Sequence, residues 1–103
     1  MIEKGGLTPP IIMLTEKEKE ILLIAQEECA EVIQAISKAF RFGIEERFED
    51  KTNRSRLEEE IGDLACLIQL MIQEGLVDEE RIEACAKNKL DRLKIWSTIF
   101  KKE

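Results

Sequence analysis

Apolar residues recur every three or four positions along most of the chain, the spacing that places them on one face of an α-helix. The first such segment opens with Thr15, followed three residues later by Glu18, which is the pattern of a capping box. This pattern predicts a long helix from about Glu16 to Phe40, with Gly43 ending it.

A second long helix is predicted after a polar stretch, and it ends at Gly75. Three residues are candidates for its N-cap, because the side chain of each can accept a hydrogen bond from a helix N-terminus: Thr52, Asn53 and Ser55. Residues 44 to 50, between the first two helices, are expected to form a short helical turn.

Asp78 caps a third predicted helix, which runs from about Glu79 towards Phe100. Because the connections are short, we expect an all-α fold: an antiparallel helical bundle of three long helices plus short helical turns. Three such helices leave apolar surface uncovered, and dimerisation is the expected completion of the bundle. Residues 1 to 14 form a predicted non-helical arm with an apolar tip at Ile11 to Met13, and residues 15 to 103 form a single helical domain.

The composition agrees with a small helical protein. Of the 103 residues, 44% are apolar and 37% are charged, which is more apolar content than disordered chains have. No apolar run approaches the roughly 18 residues that a membrane span needs. The N-terminus lacks a secretory signal pattern, and Cys29, Cys66 and Cys85 are interpreted as buried reduced thiols, so a cytoplasmic location is expected.

The charge and the missing histidine narrow the possible functions. The formal net charge of −6 disfavours binding to a nucleic acid polymer, because such binding depends on neutralising phosphates. The chain has no histidine, which excludes Ser-His-Asp and Cys-His catalysis and most catalytic zinc sites. Metal chemistry would then rely on oxygen ligands, which suit Mg²⁺ or Mn²⁺.

Each of the first two helices carries a pair of acidic residues among its apolar residues. Glu28 and Glu31 form the first pair, Glu60 and Asp63 the second, and the i, i+3 spacing puts both carboxylates of a pair on one side. Four half-buried carboxylates facing one another would destabilise the bundle unless a hard divalent cation lay between them. The competing interpretation is a solvated acidic helix face, which is common in highly charged chains.

The acidic pairs also carry a resemblance to a known family. The segment Glu27-Glu28-Cys29-Ala30-Glu31, followed by Glu60-Ile61-Gly62-Asp63, resembles the Glu-Glu-x-x-Glu … Glu-x-x-Asp signature of MazG-like nucleoside triphosphate pyrophosphohydrolases. That family belongs to the all-α NTP pyrophosphatase superfamily, together with dimeric dUTPases and phosphoribosyl-ATP pyrophosphohydrolase. The resemblance covers roughly residues 16 to 96, and the gap between the two pairs is at the long end of the family range.

The resemblance implies a hydrolase that uses Mg²⁺, or Mn²⁺, to cleave a nucleoside triphosphate into a monophosphate and pyrophosphate. It implies that Glu28, Glu31, Glu60 and Asp63 are both the metal ligands and the catalytic residues. Glu28 or Glu31 is the expected general base, and Glu27 is expected beside the ligands.

Residues that would contact the nucleotide are expected on the first and third helices. Lys38 lies two turns after Glu31 on nearly the same side of its helix. By resemblance, Lys89 and Arg92 match the phosphate-binding positions of the family, and Trp96 continues their face, where it would stack on a base. The expected partners are this nucleotide and further copies of the chain, as a homodimer or homotetramer, without a membrane.

Two other functions stay open from the sequence. One is a non-enzymatic helical interaction or assembly module whose acids form salt bridges between subunits. The other keeps the same chemistry but changes the substrate, for example to phosphoribosyl-ATP.

Overall fold

The computed structural model describes residues 13–101, which form three helices and one small β-hairpin. The order along the chain is α1 (Glu16–Phe42), β1 (Arg47–Phe48), β2 (Lys51–Thr52), α2 (Asn53–Gln73) and α3 (Glu79–Trp96). The protein is therefore mostly helical, as predicted, with one addition. The predicted N-terminal arm lies outside the described residues except for Met13 and Leu14, which are exposed and non-helical.

The predicted ends of α1 are confirmed to within two residues. The backbone N–H of Glu18 donates to Thr15 Oγ1 at 3.1 Å, and the N–H of Thr15 donates to Glu18 Oε1 at 2.8 Å. This reciprocal capping box satisfies two donors that the first turn would otherwise leave free. At the other end, Gly43 adopts a φ of 101°, a conformation that glycine reaches without strain.

The segment after α1 is a β-hairpin, so the expected short helical turn over residues 44 to 50 is wrong. Arg47 pairs with Thr52 and Phe48 pairs with Lys51, leaving two residues at the turn. The first of these, Glu49, has a φ of 62°. A positive φ is normally supplied by glycine or asparagine in such turns, and the sequence offers neither here.

Helix α2 begins directly after the hairpin and runs antiparallel to α1. Its N-cap is Thr52, whose Oγ1 accepts a hydrogen bond from the N–H of Ser55 at 3.0 Å. At one end of the helix pair, Lys17 Nζ lies 3.0 Å from a carboxylate oxygen of Glu74. At the other end, the beginning of α2 contacts the end of α1. The start of each helix therefore lies beside the end of the other.

The buried core is small and lies where α1 meets α2. Ile21, Ala25 and Leu67 are its buried members. Partly buried side chains pack around them: Ile24, Leu70, Met71 and Leu76. Because these residues form one edge of the apolar surface of each helix, much of the remaining apolar surface stays uncovered.

The uncovered surface includes much of the apolar face of α1, which the spacing of apolar residues predicted to be buried. Ile33 is 67% exposed and Phe40 is 86% exposed, and Ile61 of α2 is 50% exposed. Cys29, Cys66 and Cys85 are also exposed, so the prediction of buried thiols is wrong for the single chain. The physical reason is that α2 packs about a quarter turn around α1 from the centre of the predicted stripe.

Helix α3 makes few contacts with the pair of helices α1 and α2. It begins at its predicted cap, Asp78, whose Oδ2 accepts from the N–H of Arg81 at 2.8 Å, and it contains no buried residue. The radius of gyration is 19.6 Å, against about 13 Å for a compact chain of 100 residues. A bundle completed by dimerisation therefore stays a prediction. No helix within residues 13–101 is both long enough and apolar enough to cross a membrane.

Candidate functional site

Three carboxylates converge at the contact between α1 and α2. One oxygen each from Glu28, Glu60 and Asp63 lies within 4.8 Å of the other two. Glu28 and Glu60 are half-buried, whereas Asp63 is exposed. These three residues are called the acidic trio below.

The packing of the helices explains why the trio meets there. Glu28 is three residues after Ala25, and Asp63 and Glu60 precede Leu67 by one and two helical turns. Residues three, four or seven apart share one face of a helix, and Ala25 and Leu67 are core residues at the contact between the helices. The acids therefore continue the buried edge of each helix towards the hairpin.

The trio raises the pKa of Glu60 above its ordinary value. Desolvation of the carboxyl group is the largest cause, followed by the negative charges of Glu31, Asp63 and Glu28. A hydrogen bond between Glu60 and Asp63 acts in the same direction, because it needs a proton on one of the two carboxyl groups. Without a cation, the site therefore makes the ionised form of Glu60 less favourable than it is for a carboxyl group in water.

The donor set fits a hard divalent cation. Carboxylate oxygens are the ligands that Mg²⁺ prefers, with bonds of about 2.1 Å. Two oxygens on one octahedral ion are then separated by about 3 to 4 Å, so three oxygens within 4.8 Å of one another need little movement to share an ion. A cation between them would also replace the proton that the crowding of carboxylates favours.

Glu31 lies outside the trio but belongs to the same cleft. A cavity of about 230 Å³ beside the trio is lined by Glu31 and Glu60 from its acidic side. Lys38, which the sequence analysis assigned to the nucleotide, lines the same cavity from α1. We call this cavity the acidic cleft. It brings together carboxylates and a basic group that are spread over 30 positions of the sequence.

Five residues that line the cleft were not expected at the site: Gln34, Ala35, Asn53, Arg56 and Glu59. Asn53 and Arg56 lie at the start of α2. Asn53 is 5% exposed, and its Nδ2 donates to the carbonyl of Gly43 at 2.9 Å, which ties the first turn of α2 to the end of α1. Arg56 precedes Glu60 by one helical turn, so the i, i+4 spacing was a readable signal that both lie on one face.

The guanidinium of Arg56 is held against the hairpin. Its Nη2 donates to the carbonyl of Phe48 at 2.8 Å, and its carbon Cζ lies 5.7 Å from the centre of the Phe48 ring. Its Nε is buried and has no hydrogen-bond partner within residues 13–101. Glu49 adds a distant ion pair at 3.7 Å. The hairpin therefore fixes a positive charge beside the acidic cleft.

A second cavity, of about 410 Å³, adjoins the cleft and is called the aromatic cavity below. Lys38, Asn53 and Arg56 line both cavities, so the two lie side by side. Phe42 at the end of α1 and Phe48 in the hairpin supply its apolar lining. Its position depends on the β-hairpin, which the sequence analysis did not predict.

The site residues expected on α3 are not brought to the cleft. Lys89, Arg92 and Trp96 are exposed, and none of them lines either cavity. Trp96 is the last residue of the helix and is 81% exposed. Within the described part of one chain, these residues are available to a ligand or partner but do not complete the acidic cleft.

Comparisons of the chain with protein-family models, with curated proteins and with solved structures found no match. A function is therefore inferred from the residues of the chain and their arrangement.

Proposed function

We propose that the protein is a Mg²⁺-dependent nucleotide pyrophosphohydrolase that cleaves a nucleoside triphosphate into a monophosphate and pyrophosphate. The observation that carries the proposal is the approach of Glu28, Glu60 and Asp63 to within 4.8 Å of one another across two helices. These are three of the five acids that match the MazG-like signature, and three of the four that it implies as metal ligands. A solvated acidic face gives no reason for acids on separate helices to meet at a half-buried point.

In this proposal the acidic trio and Glu31 hold Mg²⁺, or Mn²⁺ in its place. When bound, the ion neutralises phosphate oxygens and lowers the pKa of a coordinated water. Glu28 or Glu31 orients the attacking water and accepts its proton. Lys38 and Arg56 line the cleft as the cationic groups that oppose the negative charge of the triphosphate.

The proposed bond cleavage is at the α-phosphorus. The water oxygen bonds to the α-phosphorus, the bond from that phosphorus to the bridging oxygen breaks, and its electron pair leaves with pyrophosphate. Pyrophosphate held by cations is a better leaving group than the alkoxide of the sugar, which favours this direction of attack. Hydrolysis in ¹⁸O-labelled water should place the label in the monophosphate, whereas label in pyrophosphate or release of orthophosphate would contradict this mechanism.

The experiment that tests the proposal is a panel of nucleoside triphosphates with detection of pyrophosphate, with and without Mg²⁺. We expect Mg²⁺-dependent release of pyrophosphate from at least one triphosphate. Phosphoribosyl-ATP belongs in the same panel, because the acidic cleft does not distinguish it from simpler triphosphates. Absence of pyrophosphate from every substrate with Mg²⁺ and with Mn²⁺ would overturn the proposal.

A non-enzymatic assembly module is the second candidate, and the exposed apolar surface of α1 and α2 favours it. The two candidates differ in their response to metal. An ion that binds only the folded protein raises its free energy of unfolding, and the gain grows with the ion concentration relative to the dissociation constant. Mg²⁺ should therefore raise the melting temperature of the enzyme. A module whose acids pair with a partner subunit would melt at the same temperature with and without Mg²⁺.

The proposed enzyme acts in the cytoplasm as a homodimer or homotetramer, with a nucleotide as its substrate. The free, exposed thiols of Cys29, Cys66 and Cys85 suit a reducing compartment. A second copy of the chain would cover the apolar surface, complete the helical bundle and offer its own α3 to the acidic cleft. Lys89 and Arg92 would reach the phosphates by that route.

A further inference from the structure

We propose that the aromatic cavity is a binding site for the base of a nucleotide, with the ring of the base stacked on Phe42 or Phe48. The inference rests on the proposed function, because it places the phosphates of the same molecule in the acidic cleft. It also gives a function to the β-hairpin, which lies outside the acidic signature.

Both phenylalanine rings of the cavity are exposed, and Arg41 Cζ lies 4.9 Å from the centre of the Phe42 ring. Phe42 is 55% exposed and Phe48 is 68% exposed, although both line the cavity. Leaving this apolar area in water is unfavourable, and a planar ring that covers it recovers the lost hydrophobic contribution. Aromatic side chains stack on nucleobases of every kind, since each base has a π face.

The size of the cavity and its position beside the acidic cleft favour a nucleotide over an isolated apolar ligand. Its volume of about 410 Å³ lies within the range of small-molecule sites, which begins near 300 Å³. It shares Lys38, Asn53 and Arg56 with the acidic cleft. A ligand that occupies both cavities therefore has an apolar planar end and an end that binds cations.

The charges of the shared wall are complementary to a phosphate chain. Lys38 and Arg56 are its two basic residues, in a protein whose formal net charge is −6. Elsewhere in the aromatic cavity, Arg47 and Glu46 carry opposite charges. Arg56 is fixed to the hairpin by its hydrogen bond to the carbonyl of Phe48. The same hairpin residue thus contributes a stacking surface and orients a cation, which couples the base end of the site to the phosphate end.

The test separates the base from the phosphates by using two probes. Adenosine carries a base and no phosphate, and inorganic tripolyphosphate carries phosphates and no base. Each is titrated into the full chain, and binding is followed residue by residue by NMR. We expect adenosine to shift the signals of Phe42, Phe48 and Asn53, and tripolyphosphate to shift those of Lys38 and Arg56.

The variant Phe48→Ala gives the decisive comparison. We expect it to weaken adenosine binding at least about fivefold, the lower end of the loss when an aromatic stacking partner becomes alanine. Tripolyphosphate binding should stay within twofold of the parent. Phe100→Ala is the matched control, because Phe100 is 52% exposed and lines neither cavity.

Each outcome decides the inference independently of the proposed activity. Adenosine shifts at the cavity that weaken in Phe48→Ala support the inference even if no triphosphate is hydrolysed, in which case only the proposed function fails. Hydrolysis of triphosphates without adenosine binding at the cavity leaves the function standing and overturns the inference. Equal loss of both probes also overturns it, as does a change of oligomeric mass in Phe48→Ala, which would make the cavity an interface between copies.

Discussion

The surroundings of Glu60 oppose its ionisation. Its pKa is raised by desolvation and by the charges of Glu31, Asp63 and Glu28. A carboxylate in this position is a poor contributor to stability unless a cation is bound. Its presence where two helices meet therefore supports cation binding. Replacing Glu60 should then lower the activity and raise the stability of the metal-free protein.

The first prediction concerns the rate of hydrolysis. Glu60→Gln and Asp63→Asn should each lower the rate at least about a hundredfold, because charge stabilisation by a bound metal lowers the activation barrier by several kcal/mol. Glu58→Gln is the control, since Glu58 is an exposed acid on the same helix. Pyrophosphate release is measured at saturating Mg²⁺ for all three variants. Full activity in either site variant would remove that residue from the site.

The second prediction concerns stability without metal. The raised pKa of Glu60 means that ionising this carboxyl destabilises the folded protein, so the penalty is fully present above its folded-state pKa. In chelator-treated samples at pH 7, Glu60→Gln should melt at a higher temperature than the parent. The gain should shrink as the pH falls towards about 4, where the parent carboxyl is also neutral.

Thermal unfolding monitored by circular dichroism measures this difference, with Glu58→Gln again as the control. The same samples with added Mg²⁺ should reverse the order, because the parent gains a bound ion and the variant loses a ligand. If Glu60→Gln melts below the parent at every pH without metal, the Glu60 carboxylate does not destabilise the metal-free protein, and the prediction is contradicted.

At the scale of single residues, the sequence predicted the acids better than the groups around them. The spacing within each pair placed Glu60 and Asp63 on one side of α2, and the distance of seven residues from Glu31 placed Lys38 on the same side of α1. Phe48 could not be placed, because its position depends on the conformation of the hairpin. Arg56 was readable from its spacing to Glu60, since each of the three N-cap candidates places Arg56 inside the second predicted helix.

At the scale of elements, capping residues determine how well each boundary was predicted. Thr15 and Asp78 cap their helices as expected, since their side chains accept hydrogen bonds from the first turn. The hairpin was missed because its strands are two residues long and its turn has no glycine or asparagine. Such short strands leave no alternating apolar pattern to detect.

The third prediction compares two glycines with opposite roles. Gly43 ends α1 with a φ of 101° and a ψ of 143°, a backbone conformation that is almost confined to glycine. An added Cβ would meet only Glu46 Cβ at 4.0 Å, so Gly43→Ala should destabilise through the backbone alone, by about 1 to 3 kcal/mol. Gly62 lies inside α2 with nothing within 4 Å of an added Cβ. Gly62→Ala should therefore stabilise the protein by about 0.5 to 1 kcal/mol.

Urea unfolding of both variants in metal-free buffer measures these two changes. The pair is its own control, since both add one methyl group at an exposed glycine. Equal effects of the same sign would mean that the conformation at the end of α1 differs from the one described.

At the scale of the whole molecule, α3 is the element that the single chain does not explain. Helix α3 has 18 residues, and most of the stability of helices in proteins comes from packing an apolar face. Yet α3 has no buried residue, and α1 and α2 leave an apolar surface uncovered. The periodicity predicted the apolar faces but not their partners, because a helical pattern carries no information about which chain covers it.

The last prediction is that copies of the chain cover one another's apolar surfaces. Light scattering at micromolar concentration should give a mass of at least twice 11.9 kDa. Ile33→Asp, at a side chain that is 67% exposed, should raise the dissociation constant at least about tenfold, because the variant places a charge in an apolar contact. Ala30→Asp adds the same charge at another exposed position of α1, on the polar side of the helix, and should leave the mass unchanged. A mass of 11.9 kDa for the parent would contradict the prediction, and α3 would then need a different partner to account for its exposed apolar residues.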